Sequence, residues 1–220
     1  MNTYPLENIE HLSKHTFKIR IKRPDIEIIS GQCFNIGLPG LQINREYSIY
    51  SAANSNYLDF LIRAVDGGRV SSALQKIKPG DLIEVDGAYG DFCLKDPMNS
   101  DQEYLFIATG TGIAPFHSFV ETWPTLNYKL LHGVRYAEEC YHANVYKEGS
   151  YIPCISRPAD SSKGMRVTDY LSEQILPSNL QIYICGNRNM IIDSFDILHK
   201  KGMSGNNITT EVFFKLKAQK

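Results

Sequence analysis

The sequence predicts two domains: an antiparallel β-barrel over residues 1–98, followed by an α/β domain with a doubly wound parallel sheet over residues 99–220. Three observations lead there. The chain has 220 residues, more than the roughly 100–200 of one typical domain. Residues 16–94 break into short apolar runs separated by Gly, Pro and Asn turns, as in a small barrel. From residue 103 onward, apolar strands alternate with helical stretches, which implies a parallel sheet. The polar segment 95–101, with one proline, forms the seam.

The N-terminal residues 1–15 are polar and broken by Pro5, so no signal-peptide core is expected there. Thr16-Phe-Lys-Ile-Arg-Ile-Lys22 alternates apolar and charged side chains, the mark of a half-buried strand. Further strands are expected at 32–38, 45–51, 57–65 and 81–87, with a short helix at 70–76. In the second half, strands are expected at 103–109, 129–134, 151–156, 181–185 and 208–214. Helices are expected at 114–121, near 137–147, at 167–175 and at 189–200.

Ligands of doubly wound sheets bind beyond the C-terminal strand ends, where the strand order switches. The first strand runs straight into Thr109-Gly-Thr-Gly-Ile-Ala-Pro115. Gly110 and Gly112 let backbone approach a pyrophosphate, and Pro115 suits a first helical turn. This is neither G-x-G-x-x-G nor a P-loop, and spacing alone fits a plain tight turn equally well. Cys185-Gly186-Asn187 ends another strand on the same edge, with Asn187 placed as a helix N-cap. Ser156-Arg157 ends a third, where Arg157, with Lys163 and Arg166 nearby, offers charge-assisted bonds to a phosphate. A solvated arginine is the plainer reading.

Composition narrows the function classes. Lys and Arg number 23 against 24 Asp and Glu, a balance that does not favour nucleic acid. Apolar runs such as 104–108 fall far short of the roughly 20 residues of a membrane span. The five cysteines are odd in number and lack a CxxC pair, so reduced thiols in a cytoplasm are expected rather than disulfides or structural zinc. His11 and His15 read as surface residues, and His117, His132, His142 and His199 receive no function. No metal site is expected.

The barrel half carries Arg45-x-Tyr47-Ser48 at a strand start. Alternation sets Arg45 and Tyr47 on one side of that strand and Ser48 on the other. Asp66-Gly-Gly-Arg-Val-Ser-Ser72 is a glycine turn with two hydroxyls at a helix start, suited to an anion or to a serine N-cap.

Taken in order, these motifs resemble the ferredoxin–NADP reductase family of flavoproteins over nearly the whole chain. The residues that carry the likeness are Arg45-x-Tyr47-Ser48, Gly68-x-x-Ser71, Gly87-Ala-Tyr-Gly90 with Phe92, and Thr109-Gly-Thr-Gly-Ile-Ala-Pro115. Gly133-Val-Arg135, Cys185-Gly186 and Glu211-Val-Phe-Phe214 complete the set. The resemblance implies an FAD-binding barrel and an NADP(H)-binding α/β domain. It implies that Arg45 pairs with the FAD pyrophosphate, that Tyr47 stacks on the flavin ring, and that Ser48 hydrogen-bonds near N5. Gly68, Val70, Ser71 and Ser72 would cradle the FAD pyrophosphate. Thr109, Gly110, Thr111, Gly112 and Pro115 would hold that of the nicotinamide dinucleotide. Ser156 and Arg157 would take the 2′-phosphate, with Arg135 and Arg166 added to the cofactor-binding set and Asp160 weighing against NADP. Cys185 and Gly186 would sit by the nicotinamide and Glu211 near the flavin edge. Ser48, Cys185 and Glu211 form the catalytic set. Phe213 and Phe214 are flavin cover or core residues.

The implied reaction passes hydride from NADPH to FAD, then single electrons to ferredoxin or flavodoxin, in a cytoplasmic monomer. An oxygenase reductase component, or a free-flavin or ferric reductase, is the alternative. A non-catalytic flavin-binding electron-transfer or regulatory subunit is the rival of another class. Two departures stand out: Ala88 where many relatives have Pro, and the tail 215–220 beyond Phe214. The Glu211-x-Phe213 ending looks more like the oxygenase-reductase and bacterial branches. No C-x₄-C-x₂-C spacing is present, so a separate electron acceptor is expected.

Overall fold

The computed structural model describes residues 2–160 and 162–214, with Phe214 in its backbone only; the tail 215–220 lies outside the described residues. The chain divides into two compact units. One is Met1–Lys95 with Ala114–Thr122, the other Asp96–Ile113 with Trp123–Lys220.

The first unit is a six-stranded antiparallel sheet. Its strands are β1 (Asn2–His11), β2 (Thr16–Lys22), β3 (Cys33–Gly37), β4 (Asn44–Ser48), β5 (Tyr57–Arg63) and β6 (Leu82–Tyr89), in the order β4-β3-β6-β1-β2-β5. The alternating residues of β2 point Phe17, Ile19 and Ile21 inward, where they meet Phe60, Ile62 and Phe34. Helix α1 (Arg69–Leu74) sends Val70 and Leu74 into the same core.

Strand β1 departs from the sequence expectation. It pairs with β2 on one side and β6 on the other, yet of its ten residues only Leu6 is fully buried. Its stability comes from two backbone ladders, which leave no alternation of side chains to read.

The edges of this sheet are brought together beyond the end of β4. The Tyr50 N–H donates to the Asp59 carbonyl at 2.8 Å. The Ser51 hydroxyl donates to the Tyr57 carbonyl and accepts from the Asp59 N–H, both at 3.2 Å. On the outer side, Arg20 grips the Asp59 carboxylate with Nε and Nη2 at 2.6 and 2.7 Å.

Helix α2 (Ala114–Thr122) belongs to this unit, although it follows the first strand of the α/β half. Ser30 and Ser118 share a hydrogen bond at 2.7 Å. The Ala52 and Ala53 N–H groups donate to Glu121 and Thr122. The His117 ring stacks on Tyr50 at 3.7 Å, and Phe116 and Phe119 pack on Phe92.

The second unit is a five-stranded parallel sheet of β7 (Glu103–Thr109), β8 (Asn127–Val134), β9 (Tyr151–Ile155), β10 (Gln181–Asn187) and β11 (Ile208–Phe214). Their order is β11-β10-β7-β8-β9. The chain runs outward from β7 to β9, then crosses back through α3 (Val167–Glu173) to β10 and through α4 (Arg188–Lys200) to β11. The switch in direction falls between β7 and β10. Asn187 caps α4, its side chain accepting from the Asn189 N–H at 2.9 Å.

The helix expected near 137–147 is replaced by two short 3₁₀ turns, Ala137–Glu139 and Ala143–Val145, with His142 between them at φ 53°. Only Tyr146 is buried in this stretch. Without an apolar stripe to pack, local helix propensity does not sustain a helix. Among the described residues no helix is long and apolar enough to cross a membrane.

The seam generates a stability prediction. Ser51→Ala leaves the buried Asp59 N–H without its acceptor. Unfolding free energy in urea should fall by about 1–3 kcal/mol, and no loss would mean the seam does not hold the sheet edges.

Candidate functional site

The topological switch lies between β7 and β10, which pair in register with Cys185 beside Ala108. Beyond these strands two glycine turns meet backbone to backbone. A Cβ on Gly112 would lie 2.5 Å from the Cys185 carbonyl. Gly186 has φ +138°, and a Cβ there would collide with the Thr109 hydroxyl. The Asn187 N–H donates to that hydroxyl at 2.9 Å. Only glycine meets both demands, and the close approach leaves the turn 110–112 at the rim of the crevice where nucleotides bind in such sheets.

The sequence assigned no function to His132, yet it stands behind this turn. It lies on β8, opposite Ala108, and is 1% exposed. Its Nε2 sits 2.9 Å from the Gly110 carbonyl, and its Nδ1 2.9 Å from the Tyr151 hydroxyl. A carbonyl only accepts, so Nε2 carries the proton and Nδ1 accepts from tyrosine. Burial drives the imidazole pKa down to about 4, against smaller upward effects of the Gly110 bond and Glu139. Its place becomes legible only with the β7–β8 register, which sets it across from Ala108.

On the other side of the switch, Cys185 lies opposite Glu211. The thiol points at the carboxylate, Sγ to Oε2 3.7 Å. Complete burial, then the neighbouring Glu211 charge, push the Cys185 thiol well above its usual range. It is a neutral donor, not a nucleophile. Glu211 and Phe213 are half-buried on β11; the Phe214 side chain lies outside what is described. A bulge separates the Gly186–Val212 and Asn187–Phe214 pairs.

Ser156 and Arg157 prolong the β8–β9 pairing. The Ser156 N–H and hydroxyl both donate to the Val134 carbonyl, at 3.0 and 3.1 Å, and the Arg157 N–H donates to the Arg135 carbonyl at 2.9 Å. This register sets exposed Arg135 and Arg157 on adjacent chains at the C-terminal end of the sheet. Exposed Arg166 opens α3, its N–H capped by Asp169 at 2.9 Å. The Asp160 carboxylate accepts from the Ser162 N–H at 3.0 Å.

In the first unit, β4 carries Arg45 exposed, Tyr47 half-buried against the core and Ser48 only 3% exposed. Tyr47 pairs across from Phe34 and Ser48 from Cys33. Burial, opposed by Arg45, pushes the Tyr47 phenol up to about 12, so it is neutral at any working pH.

The start of α1 corrects one expectation. Its N-cap is Gly68, with no side-chain cap. The Ser71 hydroxyl instead accepts from the Val65 N–H at 3.1 Å, and the Ser72 hydroxyl donates to the Val65 carbonyl at 3.2 Å. The two serines fold the 65–68 loop back on the helix, leaving the amides of Arg69, Val70 and Ser71 as first-turn donors outside the helical ladder. This donor set and the Arg45 guanidinium suit a pyrophosphate in chemistry. Among the described residues no group of three His, Cys, Asp or Glu side chains could hold a metal ion.

Comparison with known proteins matches two domain families along the chain. Residues 3–93 match the family described as "Oxidoreductase FAD-binding domain", and residues 106–194 match "Oxidoreductase NAD-binding domain". The chain is 29% identical to the toluate 1,2-dioxygenase electron transfer component of Pseudomonas putida, over 94% of this chain and 66% of that protein. It is 26% identical to the ferredoxin–NADP reductase of Azotobacter vinelandii, over 92% and 91%. The chain spans 60–66% of the length of the toluate dioxygenase component, of a phenol 2-monooxygenase reductase component and of a phenol hydroxylase P5 protein that it also resembles. A ferredoxin NADP+ reductase of Neisseria gonorrhoeae, solved with bound FAD and NADP, superposes with a TM-score of 0.85 at 26% identity, over 97% of this chain and 98% of that one.

Two expectations follow from the geometry. Gly112→Ala forces a Cβ against the Cys185 carbonyl. It should lower the thermal midpoint and disorder the 110–112 turn, seen as faster amide exchange; unchanged exchange there would refute the contact. Because His132 is held neutral, with a folded pKa below the unfolded value of about 6.5, the unfolded chain binds more protons between about pH 6.5 and 4. Stability should therefore decline as pH falls through that window, and His132→Gln should flatten this limb of the urea-unfolding pH profile.

Proposed function

Since the chain belongs to the ferredoxin–NADP reductase family, with an FAD-binding oxidoreductase domain followed by an NAD-binding one, we propose that it oxidises NADPH through FAD and delivers electrons singly to ferredoxin or flavodoxin. The observation that carries the reading is the pair of glycine turns at the switch point, with the Cys185–Glu211 pair beside them. FAD, when bound, supplies the exchange between two-electron and one-electron transfer. We place the border of the two domains at 98/99 and expect a cytoplasmic monomer.

In this reading the residues do the following. Arg45 and the first-turn amides of α1 neutralise the FAD pyrophosphate. Gly68 shapes the approach to those amides, Val70 anchors them in the core, and Ser71 and Ser72 hold the loop. Tyr47 offers a neutral aromatic face to the flavin ring, and the Ser48 hydroxyl holds a hydrogen bond at N5. Thr109, Gly110, Thr111 and Gly112 present backbone to the dinucleotide pyrophosphate, with Pro115 fixing the start of α2. Cys185 and Gly186 leave room for the nicotinamide, and the Cys185 thiol holds its proton toward Glu211. Glu211 and Phe213 are assigned to the flavin edge; the Phe214 side chain lies outside the described residues. Ser156, Arg157, Arg135 and Arg166 form a cationic end to the sheet suited to a 2′-phosphate.

The acceptor rests on likeness to the Azotobacter and Neisseria reductases. A second reading, the reductase component of an oxygenase, has support from the toluate dioxygenase component, whose extra length this chain does not span.

An anaerobic absorbance titration with NADPH and NADH tests the reading. NADPH should bleach the flavin faster than NADH does. Arg157→Ala should weaken NADPH by about 10–100-fold, the range of a lost charge-assisted hydrogen bond, and leave NADH within about twofold, the change expected when no bonded phosphate is lost. Equal losses would refute the 2′-phosphate role. A chain that binds FAD but is reduced by neither nucleotide would be the non-catalytic subunit instead.

A further inference from the structure

Resting on the dinucleotide site proposed above, we infer that His132 is a positioning residue: it orients the Gly110–Thr111 peptide so that the Thr111 N–H faces the pyrophosphate. In a trans peptide the carbonyl and the following N–H point in opposite directions. The Gly110 carbonyl is drawn toward β8 by His132 Nε2–H at 2.9 Å. The Thr111 N–H of the same peptide therefore points away from the sheet interior. Gly110 has φ +54°, in the left-handed region, and nothing lies within 4 Å of where its Cβ would be. Glycine's freedom would permit the flipped peptide equally well. The flipped form sets N–H against N–H at His132, so the imidazole selects one orientation.

The selection works only with one tautomer. With the Nε2 proton donated to the Gly110 carbonyl, Nδ1 accepts from the Tyr151 hydroxyl at 2.9 Å, and this bond favours that tautomer. Tyr151 is itself held in place, stacked on Tyr146 at 4.8 Å. A histidine that only filled space would need neither the donor behind it nor the carbonyl in front.

The test uses the FAD-loaded chain, with NADP+ and NAD+ as probes followed by flavin difference absorbance. His132→Phe keeps a ring and removes the donor. The Kd of whichever dinucleotide the wild type binds should rise about tenfold, the scale of one hydrogen bond lost from a dry site. KM should rise with it, kcat at saturation should stay within about twofold because the turn touches the pyrophosphate and not the reacting atoms, and FAD content should be unchanged. His132→Gln, which can restore an N–H donor, should recover most of the affinity. Tyr151→Phe should cost about threefold, since a neutral imidazole then shares its proton between two nitrogens. Wild-type affinity in His132→Phe, or a loss that glutamine does not rescue, would overturn the inference. If His132→Phe does not fold, unchanged affinity in Tyr151→Phe overturns it alone. A wild type that binds neither dinucleotide refutes the functional reading from which the inference starts.

Discussion

The α/β unit depends on one contact, the meeting of the 110–112 turn with the Cys185–Gly186 backbone. Strands β7 and β10 are neighbours in the sheet but separated in sequence by two other strands, β8 and β9. Their ends stay in register only because neither turn carries a side chain where they touch. Everything placed at the rim follows from that closeness. Thr109 bonds to the Asn187 N–H, Asn187 in turn caps α4, and Cys185 comes to lie over Glu211. A bulkier residue at either glycine would separate β7 from β10 and dismantle these links together.

Charge is distributed with a clear division of labour. Burial favours the neutral form of the His132 imidazole and the Cys185 thiol in the α/β unit and, separately, of the Tyr47 phenol in the barrel unit. The permanent cations Arg45, Arg135, Arg157 and Arg166 are exposed. Burying an unpaired charge costs far more than burying a satisfied neutral donor. The exposed cations are open to anions from solvent, whereas the buried His132 bonds the Gly110 carbonyl.

The broad plan was legible in the sequence because it is written in periodicity. Thr16-Phe-Lys-Ile-Arg-Ile-Lys22 alternates and β2 is there; the continuous apolar run into Thr109 is the buried β7. The glycine turns were legible as turns, and Asn187 as a cap. Strand β1 was not, because backbone ladders on both sides support it with one buried side chain. The 137–147 stretch misled, since alanine and glutamate favour a helix that has nothing to pack against. Ser71 and Ser72 look like caps, yet they bond back to Val65. His132 could not be read at all, because its meaning lies in a cross-strand neighbour.

Helix α2 has a further consequence for how this chain comes into being. Residues 114–122 complete a unit whose other residues end at 95, so the barrel is assembled from a discontinuous stretch of polypeptide. During synthesis the first 95 residues leave the ribosome with Tyr50, Ser30 and Phe92 still lacking the partners that α2 brings. The barrel reaches its final packing only after residue 122 has emerged, by which time the first strand of the α/β sheet is already made.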